Sequence, residues 1–166
     1  MKIAIISDVH NNIKNLQKVL GYCAKAEIST IICCGDLASD ETLEFLADNF
    51  SGQVYYAFGN MDNDQLRKYE SAGEHKNVRM FKDFGEVELA GKKVAFVHFP
   101  QVAKMLAGTG NYDYVFYGHT HKPWTEKLGG CEVLNPGNVT GDLYPPTFAA
   151  WDTAHNKFEL IMIHGL

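Results

Sequence analysis

"KIAIISDVHNNIKNLQKVLGYCAKAEISTIICCGD", residues 2–36, joins an apolar run, a polar break, a helical pattern and a second apolar run ending in Gly-Asp. Residues 2–6 read as a buried strand, and Ile13, Leu16, Gln17, Leu20 and Ala24 recur at helical spacing up to Ala26. "TIICC" at 30–34 is the next strand. A strand, a helix and a second strand at this spacing imply a right-handed crossover and parallel pairing. The unit then repeats: residues 41–49 place Leu43, Leu46 and Ala47 on one helical face, and "QVYYAF" at 53–58 is a third strand.

Beyond residue 80 the pattern changes. "GEVELAGKKVAFVHFP" holds two strands around Ala90-Gly91-Lys92, and "WTEKLGGCEVLNPG" holds two more around Gly129-Gly130, both hairpin signals. Residues 101–108 read as a short helix, and "TFAAWDTAHNKFELIMI" as a last strand pair turning near His155-Asn156. The expected architecture is an α/β sandwich in which helices flank two mixed sheets.

With 166 residues the chain fits one domain, 1–166, able to bury roughly two-thirds of its unfolded surface. A hydrophobic share of 46% and a charged share of 21% exclude a disordered or fibrous chain. The net charge of -5, without a basic run, argues against binding duplex nucleic acid, since phosphate contacts need clustered Lys and Arg. No apolar stretch approaches the ~20 residues of a membrane span, and the N-terminal run is too short for a secretory signal. A soluble, cytoplasmic protein without a membrane partner is expected. Cys23, Cys33, Cys34 and Cys131 lack the spacing of a zinc or redox pair and read as reduced thiols.

The chemistry lies just past the strands. "SDVH" brings Asp8 and His10, "GD" Asp36, "GNMD" Asn60 and Asp62, "VHFP" His98, and "GHTH" His119 and His121. In open α/β sheets ligands bind at the carboxyl ends of strands, so these groups can converge although far apart in sequence. Asp8 and His10, and likewise His119 and His121, are two residues apart, so an extended backbone would send each pair to one face. Gly35, Gly59 and Gly118 each precede a candidate ligand and suit tight bends where a Cβ would obstruct. Carboxylate, imidazole and carboxamide ligands without thiolate suit Mn2+, Fe, Co2+, Ni2+ or Zn2+ without choosing among them; Mn2+ is the ion expected. Two such ions lower the pKa of a bridging water and clamp the oxygens of an in-line displacement at phosphorus.

"DVH", "GD", "GNMD", a strand-terminal His and "GHTH", in this order, resemble the calcineurin-like metallophosphoesterases, especially their small bacterial and archaeal phosphodiesterases. The resemblance spans Asp8 to about Asn138 and implies a four-layer αββα sandwich. It implies one metal held by Asp8, His10, Asp36 and His121, and a second held by Asp36, Asn60, His98 and His119, with Asp36 bridging. It also puts Asn60, Asp62 and His119 in the catalytic group, Asp62 as leaving-group acid or phosphate contact, and "NPGN" at 135–138 on the rim of the site. Here Phe99-Pro100 follows His98 where relatives usually have glycine, which reshapes the loop beside the second metal.

Two divalent ions offset by Asp8, Asp36, a hydroxide and ionised Asp62 leave a centre near neutral, which favours a monoanionic phosphodiester over a dianionic monoester. A small-molecule phosphoester is therefore the expected substrate, and a homodimer the assumed assembly. The alternatives are a phosphomonoesterase of the same family and a non-catalytic interaction scaffold on this fold. His75, His155 and His164 lack such partners, and Tyr55, Tyr56 and Phe58 read as strand packing.

Overall fold

Strand β1 (Lys2–Ile6) alternates sides as a pleated strand must: Ile3 and Ile5 face one apolar cluster, Ala4 and Ile6 another. That alternation sets the layers of the structure, a computed structural model that describes residues 1–66, 68 and 75–166. Helix α1 (Ile13–Lys25) follows, capped by the Asn12 side chain, which accepts from the Asn15 N–H at 3.1 Å. Its buried face is Leu16, Val19, Leu20 and Cys23, so the helical period holds but the face is rotated from the expected one; Gln17 and Ala24 are exposed.

Strand β2 (Thr30–Cys33), helix α2 (Asp40–Asn49), β3 (Gln53–Ala57) and β4 (Val78–Phe81) complete the parallel half, β1 to β4 pairing in register. Residues 65–79 carry no clear strand or helix pattern; their end supplies β4, and seven positions within them lie outside the described residues. The expected hairpins are β5 (Gly85–Leu89) with β6 (Lys92–Phe96), and β8 (Trp124–Leu128) with β9 (Cys131–Asn135). Between them lie α3 (Pro100–Gly108) and β7 (Tyr114–Phe116), and β10 (Thr147–Asp152) and β11 (Lys157–Met162) form the final pair.

Two mixed sheets result, in the orders β11-β10-β1-β2-β3-β4 and β5-β6-β7-β9-β8. Ile3, Ile5 and Ile32 meet Phe96, Phe116 and Trp151 between the sheets, α1 and α2 cover one outer face, and Ala103, Leu106 and Ala107 of α3 cover the other. This is the expected αββα order. All four cysteines are free and buried. Among the described residues no helix is long and apolar enough to cross a membrane.

Candidate metal centre

The strands β1, β2 and β3 run parallel, as do β6 and β7, so their following loops gather at common ends. There the structure brings Asp8, His10, Asp36, Asn60, His98, His119 and His121 into one cluster. The His121 Nε2 lies 3.3 Å from Asp8 Oδ1, and the His10 Nε2 lies 3.7 Å from both Asp8 Oδ1 and Asp36 Oδ2. On the other side His98 Nε2 is 3.2 Å from Asp36 Oδ2, 3.0 Å from Asn60 Oδ1 and 3.2 Å from His119 Nδ1. Ligand atoms of Asp8, His10 and His121, and of Asp8, Asp36 and His98, lie within 4.8 Å of one another. Asp8 thus borders both groups, where the resemblance assigned it to one. Asp8, Asp36 and His98 are buried, whereas Asn60 and His119 are exposed and form the open side.

The imidazoles are held by their far nitrogens. His98 Nδ1 meets the Cys34 carbonyl at 2.8 Å and His121 Nδ1 the Asp142 carbonyl at 3.2 Å. A backbone carbonyl only accepts, so each Nδ1 carries the proton and each Nε2 turns inward with its lone pair, as in histidines that ligate metals. Those Nε2 atoms then face carboxylate oxygens, an arrangement that a proton or a cation must relieve. Burial pushes the His98 pKa down, but its bond to Asp36 and the charges of Asp36 and Asp8 outweigh it, and the pKa is raised. The Asp8 carboxylate facing it likewise raises His121 despite burial. Burial works to raise the Asp8 carboxyl, yet the His10 and His121 imidazoles facing it hold it well below the usual carboxylate range.

The loops that present these groups are locally strained. Asp8, His10, Asp36, His119 and His121 all have φ between 45° and 70°, a region costly for residues with a Cβ. The expectation that Asp8 with His10, and His119 with His121, share faces through extended backbone is therefore corrected: each leaves a left-handed turn. Backbone bonds across the two loops hold these turns, from Asp8 N to Gly35 O (3.1 Å), Val9 N to Asp36 O (2.9 Å) and His10 N to Asp36 O (3.0 Å). Glycine is required beside them, because a Cβ on Gly59 would strike Asp36 Oδ1 and one on Gly118 would strike Ser7 Oγ.

Asp62 spans the loops that carry Asp36 and Asn60. It is buried, and its carboxylate accepts from the backbone N–H groups of Asp36 (3.1 Å), Ala38 (2.9 Å) and Gly59 (2.5 Å), joining the loops after β2 and β3. Met61, its neighbour, is exposed and donates its N–H to Asp36 Oδ1 at 2.8 Å.

The sequence reading missed the braces. Asn135 donates to Gly118 O (2.9 Å) and Thr120 Oγ1 (3.0 Å), and Asn138 to His121 O (3.0 Å), so the buried "NPGN" segment holds the "GHTH" backbone from behind. Within the segment Gly137 N donates to Asn135 Oδ1 at 2.9 Å, the local Asx bond that Asn-Pro-Gly favours, but turn chemistry alone gives no sign of the distant partners. Asn138→Ala strands these buried groups and is expected to cost about 1–3 kcal/mol in denaturant unfolding. A change below a few tenths would show that water replaces the amide.

Comparison with known proteins agrees with this architecture. The family model for the calcineurin-like phosphoesterase superfamily domain matches residues 1–156. Phosphodiesterase MJ0936 of Methanocaldococcus jannaschii is 30% identical over 166 aligned residues, which cover 98% of this chain and 99% of that one. A solved structure described as a novel archaeal phosphodiesterase superposes with a TM-score of 0.87 at 29% identity, covering 98% of this chain and 99% of the other. Vacuolar protein sorting-associated protein 29 of Schizosaccharomyces pombe is 25% identical, over 85% of this chain and 73% of that protein. The chain belongs to the calcineurin-like phosphoesterase superfamily, hydrolases acting on phosphoric esters.

Proposed function

We propose that the chain is a binuclear, metal-dependent phosphodiesterase acting on a small organic or nucleotide diester. The observation that carries this reading is the pair of buried atoms Asp8 Oδ1 and His10 Nε2, which have no hydrogen-bond partner although surrounded by inward-facing imidazoles. Burying such atoms unpaired costs about 1–3 kcal/mol each, so a bound cation is the natural partner. Asp8, His10 and His121 would hold one ion and Asp36, His98, Asn60 and His119 the other, with Asp36 between them. Bound divalent ions of the manganese-to-zinc series supply charge neutralisation and an acidified water.

The protein's own residues do the rest. The carbonyl-anchored His98 and His121 keep their Nε2 atoms directed inward without reorganisation. Asn60 and His119, the exposed members, stand where a phosphate enters. Asp62 fixes the two loops that carry Asp36 and Asn60 rather than transferring a proton. Among the described residues the ion-pair partners of Asp8 and Asp36 are all histidines, so the carboxylates draw on no Lys or Arg. That balance favours a diester, and the relative named a phosphodiesterase supports the same choice. The reading takes 1–166 as a single catalytic domain in the cytoplasm, where four free, buried thiols suit a reducing compartment.

The test is turnover of bis-p-nitrophenyl phosphate beside p-nitrophenyl phosphate by chelator-stripped protein supplied with Mn2+, Ni2+, Zn2+ or Mg2+. Metal-dependent cleavage favouring the diester is expected; a preference for the monoester would leave the phosphomonoesterase reading. Two ions bound with no turnover would indicate narrow specificity, and no metal bound would revive the scaffold reading. A calorimetric Mn2+ titration adds a pH readout. His98 and His121, with raised pKa values, keep their protons to higher pH, so the ion must displace them. Proton release should grow, and Mn2+ affinity weaken, as the pH falls through a range that starts above the ordinary histidine value. Affinity independent of pH would remove both histidines from the ligand set.

A further inference from the structure

Phe99, directly after His98, combines a fixed position with an open ring. Proline at the next position confines it to extended backbone, and it sits at φ -86°, ψ 132° as the N-cap of α3. Its carbonyl accepts from Ala103 N at 3.0 Å, which ties it to the first turn of that helix. The ring meets His98 and His119 in T-shaped contacts with centroids 5.1 Å away in each case, yet 37% of the residue is exposed. Packing alone does not account for a rigid aromatic left open to water beside two catalytic-centre histidines, since burial would have stabilised the fold further.

The rest of the rim is similar in kind. Met61 is 55% exposed next to Asn60, and exposed Leu143 and Tyr144 follow Asp142, whose carbonyl holds His121. A fixed aromatic with a soft thioether and another aromatic around the mouth presents apolar surface to whatever hangs from the phosphorus.

We propose that Phe99 is a specificity-determining residue whose open ring stacks on a flat aromatic substituent of the bound phosphodiester, the one that stays on phosphorus when the leaving group departs. This rests on the phosphodiesterase reading above and names its substrate class: a diester bearing an aryl group or a nucleobase. The ring acts by contact, with no bond made or broken. Because Pro100 sets the backbone in advance, the platform needs little ordering on binding.

Two substrates with one leaving group test it: bis-p-nitrophenyl phosphate and methyl p-nitrophenyl phosphate, on Mn2+-loaded wild type, Phe99→Ala, Phe99→Leu and Phe99→Trp. Intrinsic reactivity cancels in the aryl-over-methyl ratio of kcat/KM compared between proteins. That ratio is expected to fall roughly 5- to 100-fold in Phe99→Ala and Phe99→Leu, the range aromatic stacking supports, and to recover in Phe99→Trp. An unchanged ratio, whether both rates fall together or neither does, overturns the proposal; a joint fall would make Phe99 a support for His98 and His119. Calorimetric affinity for diphenyl phosphate against dimethyl phosphate separates this from failure of the diesterase reading. If wild type turns over neither substrate but Phe99→Ala selectively loses diphenyl phosphate affinity, the platform stands and cleavage of simple aryl diesters falls. Equal affinities in both proteins overturn the platform.

Discussion

Asp36→Asn is expected to lower diester turnover about a thousandfold, corresponding to roughly 4 kcal/mol of lost transition-state stabilisation, while leaving the fold intact. The asymmetry of its two oxygens explains why. Asp36 Oδ1 accepts the Met61 N–H at 2.8 Å, a bond the Asn carbonyl can keep. Oδ2 lies 3.2 Å from His98 Nε2 and 3.7 Å from His10 Nε2, between the two halves of the cluster, where an amide NH2 brings no charge and donates instead of ligating. Metal titration should then show fewer than two ions per chain, with thermal unfolding of the metal-free protein changed little. A variant that binds two ions and turns over at the wild-type rate would end the assignment of Asp36 as the bridging ligand.

Asp62→Asn is expected to act through the loops rather than through the chemical step. Its carboxylate takes three backbone N–H groups, from Asp36, Ala38 and Gly59, and hydrogen bonds to a charged acceptor contribute about 1.5–3 kcal/mol each, though not additively. The Asn amide has one oxygen for this task and presses its NH2 against an N–H. A loss of about 2–4 kcal/mol in stability should follow, with metal affinity down roughly 10–100-fold, the usual effect of removing a group that orients a ligand. The leaving group separates this from acid catalysis. Nitrophenolate departs without a proton whereas an alkoxide needs one, so loss of an acid would spare nitrophenyl esters and slow alkyl ones. Equal slowing of both, partly recovered by added Mn2+, is expected for a clamp. Full stability and metal affinity, with the defect confined to alkyl leaving groups, would restore Asp62 to the acid role.

Apart from β4, the order of elements was legible in the sequence because it rests on local patterns: period-two burial in β1, helical recurrence in α1 and α2, and Gly-centred hairpin turns. The seven candidate ligands were legible for the same reason, each standing just past a short apolar run, and the structure gathers them. Other features depended on partners far away in the chain. The face of α1 turned because the sheet it covers, not the helix, selects which residues are buried. Asp8, His10, Asp36, His119 and His121 adopt positive φ because bonds from other loops compensate a conformation their own sequence disfavours. The work of Asp62, Asn135 and Asn138 lies wholly in hydrogen bonds to distant backbone, which no local spacing encodes. Residue type and local periodicity thus determined which groups stand at the strand ends, and tertiary hydrogen bonding alone decided how each is aimed.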